Sequence, residues 1–204
     1  KHIDAETNEP LCDAETIKGK VFDKYTTAAK SFYGYRLVSE PINASGTMTE
    51  ESIEVTYYYT LKDASIIVNY IDENNNTIAP SETKTGKVGD SYTTEQKEIY
   101  GYNFVRVEGE PKGNMIDGTI TVNYIYTLKP ASVVVNYVDT NGEEVATTET
   151  INGKFFDSYD TSSKEIKGYT LTEQPANASG TMDTDVTEVI YIYELDPACV
   201  IVNY

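Results

Sequence analysis

The side chains that most often carry out catalysis are scarce in this sequence. The chain has one histidine, His2, and two cysteines, Cys12 and Cys199, among 204 residues. His2 aligns with Tyr70 and Tyr137 in an internal repeat described below, so we interpret it as a side chain that fills a strand. A serine or cysteine nucleophile needs an adjacent base, and a zinc site needs clustered histidines and cysteines. We therefore predict that the chain is not an enzyme, and we assign it no catalytic residue, metal ligand or cofactor.

The two cysteines lie near opposite ends of the chain and form no disulfide framework. A disulfide requires Cα atoms within about 7 Å of each other. We predict that Cys12 and Cys199 do not pair within one chain. A cysteine-poor composition is compatible with a cytoplasmic protein and equally with an exported surface protein of a Gram-positive bacterium.

Carboxylates are abundant, but those that recur at fixed spacing have a structural explanation. Asp23, Asp90 and Asp157 each precede a tyrosine by two positions at an expected turn. Aspartate accepts hydrogen bonds from backbone groups in turns, so we interpret these three residues as turn caps. The hairpin at residues 72–76 offers oxygen ligands for Ca²⁺, but the equivalent residues 139–143 depart from the ligand alternation of a calcium loop. We therefore assign no metal site.

A glycine followed by a lysine recurs at Gly19, Gly86 and Gly153. Phosphate-binding loops need a second glycine five residues earlier and a serine or threonine after the lysine, and this pattern is absent from the sequence. We interpret each pair as a turn glycine and a solvated lysine at the end of a strand.

Tyrosines are the best candidates for sugar binding, which uses exposed aromatic faces beside amide or carboxylate groups. The recurring pairs share a face with valine and leucine, so we interpret them as core residues. They are Tyr57 with Tyr59, Tyr124 with Tyr126, and Tyr191 with Tyr193. Two tyrosines better placed for exposure do not repeat, since Tyr58 aligns with Ile125 and Ile192, and Tyr100 aligns with Lys167. The ligand-binding residues are therefore left unknown.

Composition and charge exclude several classes of function. The chain has 16 basic and 33 acidic residues, a net charge of −17, which repels nucleic-acid phosphates and anionic lipid. No run of 18 or more apolar residues could form a membrane span. We predict no nucleic-acid partner and no membrane insertion. With 18 Tyr, 5 Phe and no Trp, the aromatic residues favour strands.

The residues above belong to a pattern that repeats every 67 positions. The stretch Ala64-Ser-Ile-Ile-Val-Asn-Tyr-Ile-Asp72 returns as Ala131-Ser-Val-Val-Val-Asn-Tyr-Val-Asp139 and begins again at Ala198. Gly-Lys, Asp-x-Tyr, Gly-Tyr, Gly-x-Met and Tyr-x-Tyr-x-Leu motifs keep the same step, which indicates tandem modules. We predict an N-terminally truncated repeat 1 at residues 1–62, repeat 2 at 63–129, repeat 3 at 130–196 and the start of a fourth repeat at 197–204.

Within each copy the apolar residues alternate with polar ones, as in strands with one buried face. The pattern predicts strands at residues 53–61, 102–107, 144–153 and 169–173 and a central strand at 66–71, which is apolar on both faces. Asn141-Gly142 predicts a hairpin turn. Only residues 93–99 and their equivalents could hold a helical turn, so we expect a mainly β, β-rich α+β fold.

The order of these motifs resembles the MucBP (mucin-binding protein) repeat of Gram-positive surface proteins, over essentially the whole chain. Two departures are Gly109-Glu-Pro-Lys-Gly113, where the other copies have Ala-Ser-Gly, and His2 in place of tyrosine. The resemblance implies one β-grasp (ubiquitin-like) fold per repeat, export to the cell surface, cell-wall attachment and adhesion to mucus.

Two functions remain after these exclusions. The resemblance implies the repeat region of a cell-surface adhesin that binds mucin or other glycoprotein glycans. The alternative is a passive stalk that projects a distal binding domain from the cell wall, which requires only the repeats and short, stiff junctions. Two of the three junctions contain a proline, Pro130 and Pro197, so we expect a monomeric array in an elongated rod. The chain opens on Lys1 rather than Met, and we interpret it as an internal piece whose targeting and anchoring signals lie elsewhere.

Overall fold

The structure is a computed structural model and describes residues 1–202. All of the regular structure in this range is β-strand, arranged in three tandem repeats of about 65 residues. The mainly β prediction is therefore confirmed. The first repeat contains β1 (His2–Asp4), β2 (Lys24–Thr26), β3 (Tyr35–Ser39), β4 (Ser45–Thr47) and β5 (Tyr57–Leu61).

The second and third repeats have longer strands in the same order. The second contains β6 (Asp63–Asp72), β7 (Thr77–Lys87), β8 (Ser91–Thr93), β9 (Tyr102–Glu108), β10 (Lys112–Asn114) and β11 (Thr119–Leu128). The third contains β12 (Pro130–Asp139), β13 (Glu144–Lys154), β14 (Ser158–Asp160), β15 (Tyr169–Glu173), β16 (Ser179–Thr181) and β17 (Val186–Leu195).

Each repeat is built on one main sheet, in which the first and last strands are neighbours. The strand orders are β1-β5-β3, β7-β6-β11-β9 and β13-β12-β17-β15. In the third repeat β12 and β17 are parallel, with Ser132 opposite Val186 and Asp139 opposite Tyr193. A short two-stranded sheet accompanies each main sheet, formed by β2 and β4, β8 and β10, and β14 and β16. This is the strand arrangement that the β-grasp resemblance implied.

The segment between the short strand and the next long strand holds no helix, although a helical turn was considered for residues 93–99. Residues 94–99 and 161–166 are irregular. Tyrosine hydroxyls bind the backbone there instead: Tyr193 Oη accepts from Lys164 N (2.8 Å) and donates to Lys164 O (2.9 Å). Tyr126 binds Lys97 in the same way. Since buried backbone groups need partners, these hydroxyls take over the role of helical hydrogen bonds.

Tyrosines from the central strands are the largest fully buried side chains of the core, as the alternation predicted. Tyr137 and Tyr191 stack with ring centroids 5.6 Å apart, and Tyr70 and Tyr124 stack at 5.7 Å. His2 occupies the equivalent place in the first repeat, where it stacks on Tyr57 at 5.2 Å and its Nδ1 lies 3.0 Å from Tyr59 Oη. The interpretation of His2 as a strand-filling residue is confirmed.

The first repeat departs from the predicted strand at residues 53–61. Here β5 begins at Tyr57, whereas the equivalent β11 and β17 have ten residues each. The parallel partner β1 pairs from His2 opposite Tyr57, so residues 53–56 have no strand to extend against. The prediction was wrong for these four positions because a strand needs a partner as well as a pattern.

By contact density the chain divides into two compact units. One comprises Lys1–Asn69, Pro80–Glu95 and Val107–Asn123, and the other comprises Tyr70–Ala79, Gln96–Arg106 and the chain from Tyr124 onward. The division passes through the second repeat, so the repeat boundaries at 62/63 and 129/130 stay a prediction. Of the predicted fourth repeat, residues 197–202 form no strand, and Asn203 and Tyr204 lie outside the described residues.

Alkali is expected to destabilise the third repeat through Tyr137. This residue is buried, and its hydroxyl lies 3.3 Å from Glu149 Oε2. Burial, reinforced by the Glu149 carboxylate, raises the pKa of Tyr137 to about 12, whereas a tyrosine in an unfolded chain titrates near pH 10. In the native state Tyr137 therefore keeps its proton to a higher pH than in the unfolded chain. The resulting contribution to the free energy of unfolding is complete below pH 10 and is lost as pH rises from about 10 to about 12.

Chemical denaturation at about pH 8 and about pH 11 measures this loss. The matched variant Tyr137→Phe cannot ionise, so its stability should fall less over the same interval. An equal fall in both proteins would contradict the role of Tyr137.

Candidate functional site

The recurring aspartates serve the turns, as predicted. Asp23, Asp90 and Asp157 each accept a hydrogen bond from the backbone N–H three residues earlier, at 2.7, 2.7 and 2.8 Å. In the hairpins, Asp72 Oδ1 accepts from the N–H groups of Asn74 and Asn76, both at 2.8 Å. These carboxylates are therefore committed to local structure.

Hydrogen bonding also lowers the pKa of the hairpin aspartates. For Asp139 the main cause is the N–H of Glu143, which donates to its carboxylate at 2.9 Å. For Asp72 the main cause is the side chain of Asn76. Within residues 1–202 no group of three or more His, Cys, Asp or Glu side chains is placed to hold a metal ion.

The glycines of the Gly-Lys motif correct one prediction. Gly86 and Gly153 lie inside β7 and β13, and neither glycine has a positive φ value. A Cβ at Gly153 would lie 2.9 Å from both Met182 Sδ and Asp157 Oδ2. The glycine is needed for close packing against the buried methionine, so the interpretation as a turn glycine was wrong. The following lysines do end β7 and β13, as expected, but Lys87 is ion-paired with Asp63 at 2.7 Å.

A shallow groove of about 570 Å³ opens at the start of β6 and is called here the first junction groove. Ala64 and Ser65 lie in it, and the hydroxyl oxygens of Ser65 and Thr119 are 2.8 Å apart. The lining residues are Asp63, Ala64, Ser65, Thr85, Gly86, Lys87, Gly118 and Thr119. The lining mixes apolar surface with hydroxyl and charged side chains, and the Lys87 side chain holds the pKa of the Asp63 carboxyl below its usual value.

The equivalent position at the start of β12 holds the second junction groove, of about 540 Å³. Ser132 N–H donates to Asp185 O at 3.0 Å, as Ser65 N–H donates to Gly118 O at 3.2 Å in the first groove. The lining residues are Asn103, Lys129, Pro130, Ala131, Ser132, Asn152 and Asp185. The two grooves thus arise from the same strand ends in successive repeats.

An exposed tyrosine contacts the backbone within two residues of a lining residue of each groove. Tyr33 is 75% exposed, and its hydroxyl lies 3.5 Å from the backbone N of Asp117, next to the groove residue Gly118. Tyr100 is 66% exposed, and its hydroxyl donates to Asp183 O, two residues before Asp185 of the second groove. Both tyrosines belong to the repeat that precedes the strand forming the groove.

The sequence-based search missed Tyr33, and the statement that Tyr100 does not repeat was therefore wrong. Both residues precede the glycine of a Tyr-Gly-Tyr motif, Tyr33-Gly34-Tyr35 and Tyr100-Gly101-Tyr102, 67 positions apart. The third repeat has Lys167 at this place. Tyr58 is exposed as predicted, but its equivalent Ile125 is buried.

The two grooves differ in their polar side chains. The first has the hydroxyls of Ser65, Thr85 and Thr119 beside the Asp63–Lys87 ion pair. The second has the side chains of Ser132, Asn103, Asn152 and Asp185. Hydroxyl, amide and carboxylate groups form hydrogen bonds, and an amphipathic tyrosine ring supplies an apolar face. Cys12 and Cys199 are free and lie outside both grooves. Across the described residues, no helix is long and apolar enough to span a membrane.

Comparison with known proteins agrees with the repeat pattern. The family profile described as "MucBP domain" matches residues 1–60, 65–127 and 132–194. Internalin J of Listeria monocytogenes serotype 4b (strain F2365) is 39% identical over 203 residues, covering 97% of this chain and 22% of that protein. Internalin J of L. monocytogenes strain EGD-e is 38% identical over 195 residues, covering 92% and 23%. The chain spans about a fifth of the length of these curated relatives.

A solved structure of the Bacillus anthracis TIE protein also matches. Its TM-score is 0.47 at 11% sequence identity, over 74% of this chain and 38% of that one. A match at this level adds no argument about function.

Proposed function

The chain belongs to the MucBP domain family, and from this premise we propose that it is the repeat region of a bacterial cell-surface adhesin that binds host glycoprotein glycans. MucBP repeats of this kind occur in surface proteins of Gram-positive bacteria, including internalins. Binding to mucin, export and cell-wall anchoring of the parent protein are parts of the proposal.

The observation that carries the proposal is the recurrence of one arrangement in successive repeats. Each junction groove is open and contains polar side chains, and the hydroxyl of an exposed tyrosine, Tyr33 or Tyr100, contacts the backbone within two residues of a lining residue. Two equivalent sites in one chain bind a multivalent ligand more tightly than either site alone. A mucin-type glycoprotein, which displays many glycans, fits such an array.

The negative charge of the chain favours neutral glycans over anionic ones. Around the first groove, Lys87 is paired with Asp63 and Lys62 is paired with Asp117 at 2.6 Å, so both cations are neutralised locally. The whole chain carries −17, which repels anionic ligands at low and moderate salt. We therefore expect neutral sugars to bind better than sialylated or sulfated ones.

A stalk is the second candidate, and the contacts at the junctions favour it. Lys62 N–H donates to Gly34 O at 2.8 Å, and Val88 N–H donates to Lys62 O at 3.1 Å, so one residue links turn segments of successive repeats. Lys129 forms the two equivalent bonds at the next junction. Its N–H donates to Gly101 O at 2.9 Å, and its carbonyl oxygen accepts from Phe155 N–H at 3.0 Å. Such junctions suit a spacer that holds a distal domain away from the cell, and a rod shape remains part of this proposal.

The two candidates are separated by the double variant Tyr33→Ala/Tyr100→Ala. We expect its apparent affinity for immobilised mucin to fall about tenfold or more, because about 1.4 kcal/mol per lost contact corresponds to a factor of ten. Surface plasmon resonance on mucin measures the change. Tyr58→Ala, which removes an exposed tyrosine that lines neither groove, is the matched control and should bind as the parent chain does. Equal binding by all three proteins, each shown to be folded by circular dichroism, would remove the grooves from the proposal.

A further inference from the structure

Two phenylalanines adopt a backbone conformation that bulky residues rarely use. Phe22 has φ 73° and Phe156 has φ 70°, in the left-handed region where a large aromatic residue is a genuine outlier. They occupy equivalent positions, and the second repeat has Gly89 there, with φ 96°. A strained residue that persists is a reason to ask what its side chain does.

For Phe156 the structure answers this question. Its ring packs against Tyr100 and Tyr102 of the preceding repeat, with centroid distances of 6.0 and 6.1 Å. It also covers Gly101 so closely that a Cβ at that glycine would lie 2.6 Å from the ring. The left-handed backbone therefore directs the ring onto the Tyr-Gly-Tyr motif of the repeat before it.

Phe22 has the same backbone arrangement with an exposed ring. Its N–H donates to Met48 O at 2.9 Å, as the N–H of Phe156 donates to Met182 O at 2.8 Å. The Phe22 ring is nevertheless 82% exposed, against 47% for Phe156. Val21 beside it is exposed as well.

We propose that Phe22 is the docking site for an aromatic-Gly-Tyr motif of a MucBP repeat that precedes this one in the parent protein. The occupant is defined by the equivalent contact within the chain, where Tyr100-Gly101-Tyr102 seats on Phe156. A second copy of the chain is a poorer occupant, because its last repeat presents Lys167 in place of the first tyrosine and both copies carry −17. This inference concerns assembly along one chain and does not depend on glycan binding.

The absence of tryptophan from the sequence allows a direct test. Phe22→Trp is made in the 204-residue chain and in an extended chain, in which residues 63–135 are placed before Lys1 to supply a complete preceding repeat. Phe156→Trp, in each background, is the reference for a docked ring. Fluorescence emission and acrylamide quenching report how exposed the tryptophan is.

We expect Phe22→Trp to shift to shorter wavelength in the extended chain and its quenching to fall by about the ratio of the two exposures, 82% to 47%. Tyr100→Lys in the added repeat, which copies Lys167, should reverse part of that shift. The proposal is overturned if Phe22→Trp has the same emission and quenching in both chains while Phe156→Trp stays protected. It is also overturned if Phe156→Trp is itself as exposed as Phe22→Trp in the shorter chain.

Discussion

Tyr191→Ala is expected to remove a large share of the folding stability of the third repeat. Tyr191 is fully buried, stacks on Tyr137, and its hydroxyl lies 2.9 Å from Thr161 Oγ1 in the irregular crossover. Replacing a large buried aromatic residue with alanine costs about 3–5 kcal/mol. A domain of about 65 residues has a total stability of about 3–10 kcal/mol, so the variant loses between about a third and all of it.

The conservative variant Tyr191→Phe separates packing from hydrogen bonding. It keeps the ring in the core and removes only the bond to Thr161, which should cost about 1 kcal/mol. Urea denaturation followed by circular dichroism measures both variants, and the third repeat should account for the lost signal. If Tyr191→Ala were no less stable than Tyr191→Phe, the tyrosine core described here would be incorrect.

Gly101→Ala is expected to destabilise the chain more than Gly168→Ala does. The two glycines are equivalent and have φ values of 78° and 81°, so both variants incur the left-handed strain of about 1–2 kcal/mol. At Gly168 a Cβ meets nothing within 4 Å, whereas at Gly101 it lies 2.6 Å from the Phe156 ring. Gly101→Ala must therefore also displace Phe156 from Tyr100 and Tyr102, which adds about 0.5–1.5 kcal/mol per aromatic contact.

Differential scanning calorimetry distinguishes the two variants through the number of transitions as well as their midpoints. Since Gly101 lies at the contact with the third repeat, its variant should also loosen the coupling between successive repeats. A Gly101→Ala protein with the same melting profile as Gly168→Ala would show that the Phe156 contact contributes nothing to stability.

The strands were largely predictable, because alternation and turn chemistry are local properties of the sequence. The strand at 169–173 has the predicted bounds, and β13 ends one residue beyond the predicted strand. The predictions failed where residues distant in sequence determine the local structure. Strand β5 is short because its parallel partner β1 is short. The segment that was considered for a helical turn stays irregular because the hydroxyls of Tyr126 and Tyr193 bind its backbone. Helical propensity alone could not reveal these partners.

The candidate site was less predictable from the sequence. Its grooves are formed where strand ends from different parts of a repeat meet, so the lining residues have no sequence spacing of their own. The exposed tyrosines did carry a signal, the Tyr-Gly-Tyr motif at residues 33–35 and 100–102, which a position-by-position alignment of all three copies would have shown. The left-handed phenylalanines carried a weaker signal, since the aligned position in the second repeat is Gly89 and glycine favours a positive φ.

Binding of the 204-residue chain to a purified mucin, with and without free neutral sugars as competitors, tests the central claim most directly. If the junction grooves bind glycans, the chain binds the mucin, neutral sugars compete, and enzymatic removal of the glycans abolishes binding. Removal of sialic acid alone should leave binding unchanged or strengthen it, because the chain carries −17. If the chain fails to bind, or if free sugars and deglycosylation have no effect, these repeats are not glycan receptors, and the stalk becomes the better explanation of their structure.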